Sequence, residues 1–223
     1  MNKLLKKISD FMFSGRNLNL SQLSLYRLVS IFVRFSFAML RSLLRLRKVG
    51  FVMRDVEIRS PHLLRSSGIF ILEKGVLLDC YGDVGLSLGN NFKLGRSSII
   101  SVPGSISSKG FGVTIGHNVG IGDFSYIGGE GYVEIGDNTI SGQYLSIHPE
   151  NHTSETSGIF RDSPTHNKGI VIGSNVWIGA KVTILDGAEI GDNCIIAAGA
   201  VVIGQFPPGN LIAGVPAKIK AKL

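Results

Sequence analysis

The chain has 223 residues, 44% of them hydrophobic and 17% charged, and a formal charge of +7. It is long enough to bury a sizeable core and too poorly charged to be a disordered polymer, and two cysteines, Cys80 and Cys194, cannot staple a domain of this size, which fits a reduced compartment. The charge distribution argues against a nucleic-acid binder: residues 1–48 hold ten Lys/Arg against Asp10 alone, giving +9, and the remainder sums to −2. Glycine divides the chain in the same way, with only Gly15 and Gly50 of the 29 lying before residue 68. The expected organisation is a basic helical head with its lead-in over 1–67, followed by a glycine-rich body over 68–223.

In the head, Leu25 to Lys48 contains neither Gly nor Pro and predicts a helix. Arg27, Arg34, Arg41 and Lys48 recur every seven residues and, with Arg45, form one basic stripe. Val29, Phe32, Val33, Phe37, Leu40, Leu43 and Leu44 form a broad apolar sector opposite, so the helix is amphipathic. Arg34 in the middle of the run argues against a membrane span, and ISDFMFSGRN after MNKLLKK supplies no signal-peptide core. Two readings stand: a helix lying in a membrane interface with arginines on anionic headgroups, or an apolar face packed on the body or on a partner subunit.

In the body an aliphatic residue, usually followed by glycine, recurs every six residues. The slots are Leu88, Leu94, Ile100 and Ile106; Ile115, Ile121 and Ile127; Ile135, Ser141 and Ile147; and Ile172, Ile178, Ile184, Ile190, Ile196 and Val202. Ser141 alone is not aliphatic. A period of six is neither a helix nor a half-buried strand and reads as a solenoid, three short sides to a turn, with aliphatic residues stacked inward and small residues at the corners. The sixteen slots make roughly five turns, stacked as parallel strands about 4.8 Å apart. The period lapses between Ile147 and Ile172, and a loop this long in a regular coil is usually functional. The expected loop, 148–169, holds His148, His152 and His166 together with Glu150, Glu155, Arg161 and Asp162.

The segments IGDNTI, IGSNVWIGAKVTIL, IGDNCIIAAGAVV and PPGNLIAGVPAKIK resemble the hexapeptide-repeat acyltransferases, over roughly residues 86–220. The resemblance implies a mainly β fold, a left-handed parallel β-helix, here with an N-terminal amphipathic helical region and a short C-terminal tail or helix. The handedness comes from the resemblance, since the ordinary crossover rule is right-handed. In maltose- and galactoside-type O-acetyltransferases the catalytic histidine lies 17 residues beyond the isoleucine of an IGDN coil. From Ile135 that count reaches His152, in a segment, HPENHTSE, that looks like capsule and O-antigen sugar acetyltransferases. His152 is therefore expected to act as general base on a sugar hydroxyl, with backbone N–H groups stabilising the oxyanion and no metal.

The same resemblance implies acetyl-CoA as cosubstrate, held at Trp177, Gly179, Ala180 and Ala198, with Lys218, assisted by Lys220, near its phosphates. It also implies a homotrimer. Galactoside-type enzymes carry a substrate-binding asparagine where this chain has Gly122, and related enzymes often carry Thr-Lys where it has Ile203-Gly204. Asp123, Tyr126, Tyr144, His148 and Asn151 are candidate acceptor contacts in its place, each with the plain alternative of an ordinary surface residue. The expected activity is acetyl transfer to a hydroxyl of a surface polysaccharide or its lipid-linked precursor, at the cytoplasmic face of the inner membrane. Alternatives are an amino-sugar N-acetyltransferase, an antibiotic acetyltransferase, a non-catalytic scaffold, and a metal-dependent carbonic anhydrase in which His117 would converge with His148 and His152.

Overall fold

The computed structural model describes residues 24–103, 109–152 and 163–223. Ile106 and the loop residues Glu155, Arg161 and Asp162 lie outside them, as does most of the head before residue 24.

The long helix, α1, spans Leu25–Leu46. Ser24 caps its start by accepting the Arg27 N–H, and Arg47 ends it in a left-handed conformation with its own N–H bonded to the Leu43 carbonyl. The broad apolar face is not the one packed on the body. The side against the body is built from Phe35 and Ala38, which cluster with Phe51 and Met53, and from buried Ser42, whose hydroxyl donates to the Lys48 carbonyl. The Phe35 and Phe51 rings meet edge to face at 5.0 Å. Two residues of the basic stripe also turn inward: Arg41 donates to the Val52 carbonyl and Arg45 to that of Val56, covering backbone acceptors of the first turn. The broad apolar sector is left facing outward.

The body is a prism of three parallel sheets. One has nine strands, beginning at Phe51–Val52 and ending with an antiparallel final strand, Ala217–Lys222. The other two have seven each, so the described residues make seven full turns, where about five were expected. The ladder begins ahead of residue 68 because Phe51 pairs with Ile71 and Leu77 with Glu57. The first rungs carry inward residues such as Val52, Leu72 and Leu78 without the glycine that marks the later ones. The C-terminal segment is a strand, paired back on Asn210–Gly214, and not a helix.

The hexapeptide slots become three inward columns. Ile100, Ile127, Ile147, Ile184 and Val202 stack in register in one sheet, and Ile115, Ile135, Ile172, Ile190 and Phe206 in another. Every described slot but Ser141 is buried. Ser141 instead accepts a hydrogen bond from the Gly122 N–H with its hydroxyl. The glycine after each slot has a different role from the one expected. It does not bend the chain; the left-handed residue lies two positions later, at Asn91, Asn118, Asn138, Asn175 and Asn193 among others. The glycine lets rungs touch: a Cβ on Gly136 would sit 2.6 Å from the Gly173 carbonyl carbon and 2.7 Å from the Ser174 nitrogen. The asparagines in turn form side-chain ladders, Asn91 to Asn118 to Asn138, each at 3.0 Å.

Rung length shows where the prism is interrupted. Ile178 to Ile196 is a plain 18-residue rung, whereas 37 residues separate Ser141 from Ile178. The extra chain enters after Ser146–His148 and returns at Ile170–Ile172, at the corner between the two seven-stranded sheets.

Candidate functional site

At that corner the inserted loop begins and ends as a short antiparallel hairpin, in which Asn151–His152 pairs with Thr165–His166. His152 lies opposite Thr165 and is exposed. A cleft of about 150 Å³ is lined by His152, Glu150, His148 and Glu130. The backbone supplies three of the four from one short stretch, since the chain leaves the coil at His148 and crosses Pro149 into the hairpin; Glu130 comes from a smaller interruption at the same corner one rung earlier.

His148 is fixed from two sides. Its Nε2 lies 2.7 Å from the Ser146 hydroxyl, and its ring stacks on Tyr126 at 5.3 Å. Burial lowers its imidazole below the ordinary 6.5, which favours the neutral form. Burial, reinforced by the neighbouring charge of Glu150, pushes the Glu130 carboxyl above the usual carboxylate range. The Tyr126 hydroxyl donates to Glu130 at 3.5 Å, and burial, then the charge of Glu130, raises the phenol. The cleft thus joins two imidazoles and two carboxyl groups, one of them, Glu130, raised above the usual carboxylate range, a set suited to moving protons.

Beneath the hairpin lies Asp186, its side chain 1% exposed. One oxygen accepts the backbone N–H groups of Lys168 at 2.7 Å and Gly169 at 2.9 Å. The other is 3.5 Å from the Asn151 amide nitrogen and 3.7 Å from the His166 Nδ1. Asp186 stands two residues after its slot, as Asp137 and Asp192 do after theirs, but at the corner that carries the insertion. That position was the signal available in the sequence for a residue the repeat pattern alone passes over.

The remaining candidates fall elsewhere. Asn151 is turned towards Asp186. Asp123 and Tyr144 belong to a different corner, between the nine-stranded sheet and the sheet containing Ile147. There Asp123 is held by Arg96 at 2.7 Å and Tyr144 stacks on Phe124 at 5.3 Å, so within one chain they do not join His152. His117 lies at the third corner, where its Nδ1 accepts the Asn90 N–H, and does not converge with His148 and His152. Among the described residues no three His, Cys, Asp or Glu side chains are grouped to hold a metal. Trp177 is exposed on the nine-stranded sheet, in register with Ile140 and Ile195. Gly179 passes close to the backbone of Ala198, and Lys218 lies exposed opposite Ala213 in the terminal hairpin.

The profile described as "Bacterial transferase hexapeptide (six repeats)" matches residues 169–204. A putative lipopolysaccharide biosynthesis O-acetyl transferase, WbbJ, of Escherichia coli K12 is 33% identical over 154 residues, covering 64% of this chain and 76% of that protein. The galactoside O-acetyltransferase of Escherichia coli K12 is 38% identical over 91 residues, a match spanning 39% of this chain and 42% of the relative. Among solved structures, a mutant of AntD, an N-acyltransferase from Bacillus cereus, in complex with dTDP-4-amino-4,6-dideoxyglucose and coenzyme A, superposes with a TM-score of 0.53 at 15% identity, covering 78% of this chain and 80% of that one. At that identity the likeness is one of fold, and the fold is the left-handed parallel β-helix.

Proposed function

This chain belongs to the hexapeptide-repeat acyltransferases, and on that premise we propose that it transfers acetyl from acetyl-CoA to a hydroxyl of a sugar in a surface polysaccharide or its lipid-linked precursor. The observation that carries the reading is the placement of His152 at the rim of a cleft lined by Glu130, His148 and Glu150, at the one corner where the coil is opened by a long insertion.

Acetyl-CoA brings an activated thioester, so the chain's own task is to make a poor nucleophile attack it. A sugar hydroxyl is far too weak an acid to ionise near neutrality. His152 acts as general base, taking the hydroxyl proton as the new C–O bond forms. The imidazolium then gives that proton to the departing thiolate as the C–S bond breaks, which restores neutral His152. His148, fixed by Ser146 and Tyr126, presents a polar edge to the acceptor. The carboxyl groups of Glu130 and Glu150 accept hydrogen bonds from neighbouring sugar hydroxyls.

The residues present fit a pantetheine chain. Ala180, Ala198 and Gly199 leave a corner without bulk, and a Cβ on Gly199 would meet nothing within 4 Å. Trp177 offers an exposed apolar face beside them, and Lys218 and Lys220 offer cations for phosphates. The exposed ladder of Ile140 and Trp177 supports a homotrimer in which neighbouring chains cover this sheet and complete the site. A place at the cytoplasmic face of the inner membrane suits a lipid-linked acceptor.

One observation favours a second acceptor class. The two carboxyl groups in the cleft would also attract an ammonium, which suits N-acetylation of an amino sugar. Mass spectrometry of the host's surface glycans with and without this protein tests both. Loss of an alkali-labile acetyl ester supports O-transfer, loss of an alkali-stable acetamide supports the second reading, and unchanged acetylation contradicts both.

A further inference from the structure

Deepening the placement given above but standing apart from the catalytic reading, we infer that the outward face of α1 binds lipid and lies in the interface of an anionic bilayer. Phe35, Ala38 and Ser42 hold one side of the helix against the body, and Arg41 and Arg45 are tied to the carbonyls of Val52 and Val56. The helix is therefore not free to roll its apolar side inward. Val29, Phe32, Val33, Phe37, Leu40 and Leu44 are presented outward, each 45% or more exposed. So much contiguous apolar surface on a soluble face marks an interaction site.

Charge decides between two occupants. The helix carries no acidic residue, and Arg27 and Arg34 stand exposed along its flank, seven residues apart in line with Arg41. A second copy of this helix would bring its own arginines, with no acidic residue among them, against these, whereas anionic headgroups are complementary. No described helix is long and apolar enough to cross a membrane, so the geometry is that of a helix lying in the surface with its apolar side down and arginines at headgroup level.

The test is co-sedimentation of the full chain with vesicles of phosphatidylcholine, alone or mixed with phosphatidylglycerol. It compares the unaltered protein, Leu40→Glu/Leu44→Glu and Arg27→Glu/Arg34→Glu, with sedimentation velocity on each. All four positions are exposed, so the fold is kept, and thermal melts verify it. The unaltered protein should bind the anionic vesicles and release at high salt. Affinity should fall more than tenfold in the leucine variant, and about fivefold for each arginine replaced. Binding that is unchanged in the leucine variant, or absent in the unaltered protein, overturns the inference. So does a leucine variant whose assembly becomes smaller, since the face would then be a subunit interface.

A different observation carries a second inference, which rests on the general-base reading of His152. We infer that Asp186 is a positioning residue for that histidine. It is buried, and it touches both strands and the exit of the hairpin: it accepts from the Asn151 amide and from the Lys168 and Gly169 N–H groups where the chain rejoins the coil, and lies 3.7 Å from the His166 Nδ1. His152 is the immediate neighbour of Asn151, so its place over the cleft depends on this one carboxylate. Asp186→Ala should speed hydrogen exchange at Lys168 and Gly169 and slow thiol release from acetyl-CoA in water, with little change in its KM. Asp186→Asn keeps an oxygen for both amides and should recover much of each. Unchanged exchange in Asp186→Ala, or an asparagine variant no better than alanine, overturns the inference. Full activity in His152→Ala would instead refute the general-base reading itself.

Discussion

Three Gly→Ala substitutions in this chain should differ in sign and size, because each glycine answers a different physical demand. At Gly120 the added methyl would meet only Ile140 Cγ2, at 3.8 Å, with no left-handed backbone, so it should stabilise by about 0.5 kcal/mol through the unfolded chain. At Gly199 there is open space but φ is +73°, and the left-handed conformation costs a side chain about 1 kcal/mol. At Gly136 the methyl would lie 2.6 Å from backbone of the next rung, against an ordinary carbon contact of about 3.5 Å, so the rungs must part by about 1 Å. The Gly136 N–H to Ile172 carbonyl bond, now 2.7 Å, would then be lost, and the buried Ile135 and Ile172 pair loosened. Together these cost about 3 kcal/mol. Urea unfolding at one protein concentration, followed by fluorescence of the single tryptophan, Trp177, reads all three. If Gly136→Ala proved as mild as Gly199→Ala, the assignment of these glycines to rung contact would be refuted.

Acid stability should respond to His148, whose folded imidazole is held below 6.5: the unfolded chain takes the proton first, so stability is lost as pH falls below that value. His148→Gln should remove that part of the loss, as read by melting temperature either side of it. For Glu130, raised above 4.5 by burial and by Glu150, the folded state holds its proton longer, so its contribution to stability declines as pH rises through that window. Glu150→Gln should bring the Glu130 titration, followed by carboxyl NMR, back towards 4.5, and no movement would show that the two are not coupled. Trp177→Ala should raise the KM for acetyl-CoA about tenfold with kcat little changed, as expected for lost apolar contact; an unaltered KM would remove Trp177 from the cosubstrate surface.

The repeat was legible because a buried column tolerates little but aliphatic residues, so Ile172, Ile178, Ile184, Ile190 and Ile196 announce the coil by their six-residue spacing. The first turns were not, because Val52, Leu72 and Leu78 are followed by Met53, Glu73 and Asp79 and lack the glycine signature. The helix was legible from its 3.6-residue period, but not the side it turns inward. Contact with the body is made by Phe35 beside small Ala38 and Ser42 and by arginines reaching carbonyls, so only one large apolar residue marks that side while the wider apolar sector lies on the other. The terminal strand escaped because Ala217–Lys222 alternates lysine with small or apolar residues and gains its structure only by pairing with Asn210–Gly214. At the site, loss of the period located the inserted loop. Asp186 stood at a recurrent turn position, but its role was not legible from that, since its partners lie 17 to 35 residues away and only the fold brings them together.

The central claim is that an imidazole at the mouth of this cleft drives acetyl transfer, and His152→Ala tests it most directly. Thiol release from acetyl-CoA, with and without a sugar acceptor, should be followed for the variant and the unaltered protein, alongside coenzyme A binding and thermal melting. The account predicts a loss of about 10²- to 10⁴-fold in turnover, with binding and melting unchanged, because His152 is exposed and carries no part of the core. Turnover within a fewfold of the unaltered protein would contradict it.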